Sequence, residues 1–271
     1  MHSSVIEYYD EQTMFHGSMN LIMGTSFDMI LIGKPREEAE DLWQRSIDEL
    51  SHIECLVNRF NPSSEVADLN RSEPLSYRYV SSELKDMIVL ADAYRGLTEG
   101  LFDITLGRSP FPGFAADGAL CISNGGCHLD FGGFAKGYAM RRVNKILDEN
   151  SVKSAFVDFG NSSILAVGSH PCGDFWWVSV PDPFTGREIY QFRMRDCSLS
   201  ISGNTPVYNT HIVNPQSGRW ESRKRVSAVM TADPLDAEIL STTWMIASSR
   251  QRCEIASRFD IKDEFVYTDQ E

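Results

Sequence analysis

Ser154-Ala155-Phe156-Val157-Asp158-Phe159-Gly160-Asn161-Ser162-Ser163-Ile164-Leu165-Ala166-Val167 reads as two short strands joined by small polar residues, and it decides the fold class. Aromatic and β-branched residues flank Gly160-Asn161-Ser162, the composition of paired strands closed by a turn. Further strand-like runs follow at 175–181, 190–195, 199–202 and 226–231. Hairpin-like neighbours of this kind point to an antiparallel sheet.

Upstream, 19–32 reads as one strand closed by Gly33-Lys34-Pro35. Over 37–60, Ala39, Leu42, Trp43, Ile47, Leu50, Ile53 and Leu56 recur at helical spacing, with acidic residues in the first turn. Asn61-Pro62 breaks that helix, and 64–70 begins a short helical or turn-rich piece. Ser81 or Ser82 caps a second helix through Tyr94, ending before Gly96 and Gly100. Helices are also expected at 134–149 and 236–248, with a small helix and a strand closing the chain, while 107–126 reads as a Pro/Gly/Ser-rich connection. Helices and strands are thus interspersed, without internal repeat or linker. The expectation is an α+β fold, one large domain over 1–271 with a mostly antiparallel sheet and packed helices.

A chain of 271 residues buries on the order of 70–75% of its unfolded surface. Its 42% hydrophobic and 23% charged content fits a globular protein and excludes a disordered or fibrous one. A net charge of −13 repels polyanions, which excludes nucleic acid as a partner, although a local basic pocket or helix end can still hold a small phosphate compound. The six cysteines form no CxxC pair, arguing against a zinc site; Cys121 and Cys127, flanking Asn124-Gly125-Gly126, are close enough in sequence to close a turn. No apolar run reaches the roughly 20 residues that span a bilayer, so no transmembrane segment is expected. The start of the chain has no basic, then apolar, leader pattern, and a cytoplasmic location is expected.

Six places carry candidate chemistry. In 129–139, Gly132-Gly133 allows close backbone approach, and Lys136 follows where a helix begins, a corner suited to phosphate. Glu238 and Thr242, four residues apart, share a helix face and offer oxygen donors to a hard divalent cation; a solvated glutamate and a threonine bonded to its own helix satisfy the same spacing. His211 opens Thr210-His211-Ile212-Val213-Asn214-Pro215, read as a strand entering a turn, and serves either as a proton acceptor or as a structural hydrogen-bond partner. Asp103 and Thr105 share one face if 100–105 is extended. Phe159-Gly160-Asn161-Ser162-Ser163 and Ser200-Ile201-Ser202-Gly203 leave room for a ligand or are plain turns. Trp176-Trp177 reads as core and edge packing.

Taken in order, Met23 to Phe27, Asn58 to Glu65 with Leu69-Asn70, Gly100 to Thr105, Leu129 to Ala139, Gly160 to Gly168, Ser202-Gly203, His211 to Gly218 and Ala237 to Thr243 resemble the ApbE family of flavin transferases. The resemblance implies Mg²⁺-dependent transfer of FMN from FAD to a threonine of an acceptor flavoprotein subunit, with AMP released. It implies metal ligation by the Ala135 carbonyl, Glu238 and Thr242. It places Lys136 by the flavin nucleotide, with Met23, Phe60, Asp103, Gly160, Ser202 and Gly203 around it, and His211 as the group that activates the acceptor. Departures are Glu238 for the family's usual aspartate, with Asp236 nearby as a substitute, Phe60 for its tyrosine, and Asn214 for an aspartate. The connections 107–129 and 203–211 are short for the family. Two other activities fit the same residues: FAD binding without catalysis, and Mg²⁺-dependent hydrolysis of FAD to FMN and AMP.

Overall fold

The computed structural model describes residues 4–207 and 211–268. The chain opens with β1 (Ser4–Tyr9), β2 (Met14–Ile22) and β3 (Thr25–Ile32). Met23 and Gly24 join β2 to β3 with φ of 48° and 79°, the left-handed pair that a tight two-residue hairpin turn requires. The single strand expected over 19–32 is therefore corrected to the end of one strand, a turn and a second strand. Gly24, followed by Thr25 and Ser26, is the only mark of the reversal in that run.

Helix α1 (Arg36–Val57) buries the expected apolar stripe. Short α2 (Glu65–Asn70) is capped by Ser64, whose Oγ accepts from the Ala67 amide at 3.0 Å. After β4 (Tyr77–Arg78) comes α3 (Ser82–Leu97), capped by Ser81 rather than Ser82. The connection 107–126 holds β5 (Gly113–Phe114) and β6 (Leu120–Cys121), which join β4 in a small three-stranded sheet. Two-residue strands are too short to show alternation. Next are α4 (Ala135–Glu149), β7 (Ser154–Phe159), β8 (Ser163–Val167), β9 (Trp176–Pro181), β10 (Glu188–Met194), β11 (Cys197–Gly203) and β12 (Arg225–Thr231). The last elements are α5 (Pro234–Ile246), α6 (Ser249–Ala256) and β13 (Ile261–Thr268).

The main sheet runs β1-β2-β3-β7-β8-β11-β12-β13 with every neighbour antiparallel. The expected α+β class is the class observed. On one face α1, α4 and α5 bury Phe15, Phe27, Trp43, Leu50, Phe134 and Val157. On the other, the β9–β10 hairpin covers Ile164, Ala166, Leu199, Val226 and Ala228. Trp176 stacks on Phe156 at 5.1 Å while Trp177 is exposed, as the core-and-edge expectation has it. All six cysteines are free, Cys121 and Cys127 included. Among the described residues, no helix is long and apolar enough to cross a membrane.

Candidate active site

Three pieces of chain meet where α4 begins. Asp130 accepts from the Gly132 amide at 2.9 Å and faces the Arg59 Nε at 3.2 Å, which fixes the Gly-Gly corner against the end of α1. The Arg59 guanidinium lies 4.4 Å from the centre of the Phe60 ring. That ring is 79% exposed and stands at the mouth. Two glycines let α5 approach α4 closely. A Cβ on Gly133 would touch the Thr242 Oγ1 at 3.4 Å, and one on Gly137 would stand 2.6 Å from the Glu238 Cβ, below any real carbon contact.

Glu238 is buried, 4% exposed. Its Oε2 accepts from the Ser163 hydroxyl at 2.6 Å and from the Ser200 hydroxyl at 2.9 Å. These serines lie directly opposite one another on β8 and β11, so one carboxylate oxygen bridges the strand pair. The Lys136 ammonium lies 3.7 Å from the other oxygen, Oε1, donates to Ser163 at 3.3 Å, and also bonds Ser162. A carboxylate this deeply buried stays charged only with such partners. Ser241 donates to Ser200 at 3.0 Å and bonds Ser202 at 2.9 Å, while Thr242 Oγ1 is 3.4 Å from Ser202. The threonine that bonds back to its own helix is Thr243, to the Ile239 carbonyl at 2.7 Å. The solvated-glutamate alternative for this pair is thus set aside.

A central cavity of about 480 Å³ is lined by Phe60, Asp103, Lys136, Ser202, Gly203, His211, Glu238 and Thr242 together. Beside it, a cavity of about 260 Å³ is lined by Met23, Phe60, Ala135 and Lys136. Arg59, Phe60, Asp130, Gly132 and Lys136 border both, so the two form one cleft of the size small-ligand sites take. Met23 is held there by its amide, which donates to Glu54 at 3.0 Å. Gly160, by contrast, lines a third cavity, behind Ser162. It turns with φ of 70°, and a side chain there would collide with the Thr25 hydroxyl.

Some expectations change. Asp103 and Thr105 lie in a turn rather than on an extended face: the Thr105 amide donates to the Asp103 carboxylate at 2.7 Å, and Thr105 is buried while Asp103 borders the cleft. Ser200 to Gly203 are the end of β11, not a turn. The segment from His211 is a loop with one isolated bridge, Val213 to Trp220; Thr210 lies outside the described residues. Asn214 closes its turn by accepting the Gly218 amide at its carbonyl, 2.8 Å, and the Gln216 amide at its side chain, 2.9 Å. Asp236 does not substitute for Glu238. Two residues along a helix point to different sides, and its carboxylate accepts from the Tyr94 hydroxyl at 2.5 Å, in a cluster with Arg141 and Asp233. Burial is the main cause that raises its pKa above the usual carboxylate range.

Ser163 and Ser200 lie in segments the sequence marks as candidates, but their hold on Glu238, and any role for Ser241, Arg59 and Asp130, was not foreseen. A sign of the serines existed: in Cys197-Ser198-Leu199-Ser200-Ile201-Ser202, hydroxyls alternate with apolar residues on a strand whose other face is core. A buried polar face needs a polar partner across from it. Glu238 is the acid that α5 presents to them.

A family model described as "ApbE family" matches residues 23–109 and 114–264, and the chain belongs to that family. The interruption falls within the connection that reads as short. Among curated relatives, a protein of Chlamydia muridarum named FAD:protein FMN transferase is 25% identical, over 77% of each chain. Another so named, from Klebsiella pneumoniae, is 23% identical over 89% of this chain and 88% of its own. The crystal structure of Pseudomonas stutzeri flavinyl transferase ApbE, apo form, matches with a TM-score of 0.78 and 20% identity over 99% of this chain and 92% of that one. That likeness is one of fold.

Proposed function

We propose that this protein is an enzyme, a Mg²⁺-dependent FAD:protein FMN transferase that esterifies a threonine hydroxyl of an acceptor flavoprotein and releases AMP. The observation that carries it is the convergence of Lys136, Glu238, Thr242 and His211 on one cleft. Lys136 and the Gly132-Gly133 corner offer positive charge and close backbone approach to the diphosphate. His211 takes the acceptor proton. As it does so, the threonine oxygen bonds to the phosphorus on the FMN side, the bond from that phosphorus to the bridging oxygen breaks, and AMP leaves with the electron pair.

The donor set suits magnesium, which prefers oxygen and keeps few protein ligands. Glu238 Oε1 takes no hydrogen bond among the described residues, because Ser163 and Ser200 both occupy Oε2. Thr242, unlike Thr243, makes no bond to its own helix. With the Ala135 carbonyl these would hold the ion, which when bound supplies Lewis-acid stabilisation of the charge gathering on the AMP phosphate. The extra methylene of Glu238 relative to aspartate is spent in reaching the two strand serines.

The test is incubation with FAD, Mg²⁺ and a domain bearing the acceptor threonine, followed by a denaturing gel. Fluorescent acceptor supports transfer. AMP without labelling shows hydrolysis, and yellow protein with neither shows simple binding.

A further inference from the structure

The central cavity has a neighbour on the far side of one wall. At Ser162, Ile201 and Gly203 its wall is shared with the third cavity, about 640 Å³, between the outer face of the main sheet and β9. Successive strand residues point to opposite faces. Yet Trp177, Val178, Ser179, Val180 and Pro181 all border this one space. Five consecutive residues do so only when a strand lies edge-on. That edge is open: among the described residues β9 pairs with β10 alone. The floor is Phe156, Ile164 and Val226 with one acid, Asp158, whose cross-strand neighbour is Asp28.

Resting on the transferase reading, we propose that this groove seats the acceptor: an extended segment of the acceptor protein adds as a strand to the free edge of β9. Its apolar side chains cover the floor, a basic side chain meets Asp158, and its hydroxyl residue passes Ser162 and Gly203 to the central cavity. Three observations favour this occupant. The reaction joins two substrates, and a dinucleotide seated in the two cavities flanking Lys136 leaves the shared wall as a separate approach for the second. An unpaired edge offers main-chain donors and acceptors, the groups that bind an extended peptide. The one acid of the floor, Asp158, in a chain of net charge −13, selects a basic guest over an acidic one.

The test uses the whole protein with FAD, Mg²⁺ and synthetic peptides of roughly ten residues, a full strand's length. Their floor-facing alternate positions carry valine with one lysine for Asp158, the other positions carry alanine, and one threonine stands near either end. One peptide should gain the mass of FMN. Its counterpart with valine for threonine should slow hydrogen exchange of the 176–181 amides. N-methylation of alternate peptide amides should act by phase, cutting labelling about tenfold per blocked bond in one phase and leaving it unchanged in the other. Asp158→Asn should lower labelling of the lysine peptide about fivefold without changing FAD affinity. Bound FAD with no peptide labelled, equal effects of both methylation phases, unaltered exchange in β9, or an equal fall in labelling and FAD affinity for Asp158→Asn would each overturn the groove. Failure to bind FAD at all would instead remove the transferase reading on which it rests.

Discussion

Glu238→Asp installs the residue usual in the family, and in this chain it should damage the site. The carboxylate would withdraw by roughly 1.3 Å, one carbon–carbon bond projected along the side chain. Contacts now at 2.6 Å to Ser163 and 2.9 Å to Ser200 would stretch to about 3.9 and 4.2 Å, beyond hydrogen-bond range. The helix cannot follow it. Ser227 holds the Ser241 carbonyl of α5 at 2.5 Å, and Gly137 already brings α4 to within van der Waals contact of Glu238.

Each bond to a charged group is worth about 1.5–3 kcal/mol. Ser163 keeps Lys136 at 3.3 Å and Ser200 keeps Ser241 at 3.0 Å, so the low end applies to both. The expected loss is about 3 kcal/mol, and with roughly 2–4 °C per kcal/mol for a chain of this size, Tm should fall by roughly 6–12 °C. Denaturant unfolding of Glu238→Asp, of Ser163→Ala with Ser200→Ala, and of the combined variant gives the coupling, expected at about 2 kcal/mol. Additive effects, or an aspartate variant within about 0.5 kcal/mol of the parent, would refute the serine clamp.

Three further outcomes are expected. Lys136→Met removes the ammonium beside a buried carboxylate, so it should lower both FAD affinity, measured by equilibrium dialysis, and stability, the latter by about 3 kcal/mol. His211→Ala should slow transfer by roughly 10²–10⁴-fold with FAD affinity within about twofold of the parent; equal losses in both would make the histidine structural. Burial is the largest cause holding the Asp158 carboxyl above the usual aspartate range. Folding therefore binds its proton more tightly, the associated stability is complete below the ordinary aspartate pKa, and it is lost as pH rises through the raised value. Asp158→Asn should accordingly gain on the parent in Tm between acid and neutral pH, and parallel curves would refute the assignment.

The sequence made the helices legible because their apolar stripes are long: α1 carries its buried face over Arg36–Val57, and the periodicity finds it within a turn. Elements too short or too uniform for a period were lost. Met14–Ile22 and Thr25–Ile32 are hard to separate because Met23 fills the first left-handed turn position without a polar marker and leaves Gly24 as the one turn signal. Asp103 and Thr105 mislead for the opposite reason. Their alternation looks like a strand, but an aspartate two residues before an amide readily closes a local turn, and Ile104 is buried by that turn rather than by a sheet.

What the sequence concealed at the site was partnership rather than identity. Glu238, Thr242, Lys136 and His211 stood out as chemical types, while Ser163 and Ser200, the serines that hold Glu238, read only as room for a ligand or as turns. Helix α5 buries Leu235, Ile239, Leu240 and Trp244, and Ser241 joins Glu238 in facing the strand serines. A lone carboxylate in that face, unpartnered, would be among the most destabilising features a core can contain. Its retention implies donors already waiting on the strands opposite, and β11 supplies them by alternation: Leu199 and Ile201 turn toward the hairpin core while Ser198, Ser200 and Ser202 turn toward the helices. The same pleat that hides a polar face within an apolar strand therefore commits Glu238 to a single orientation. With Oε2 fixed by two strands, Oε1 has one direction left, toward Lys136 and the cleft.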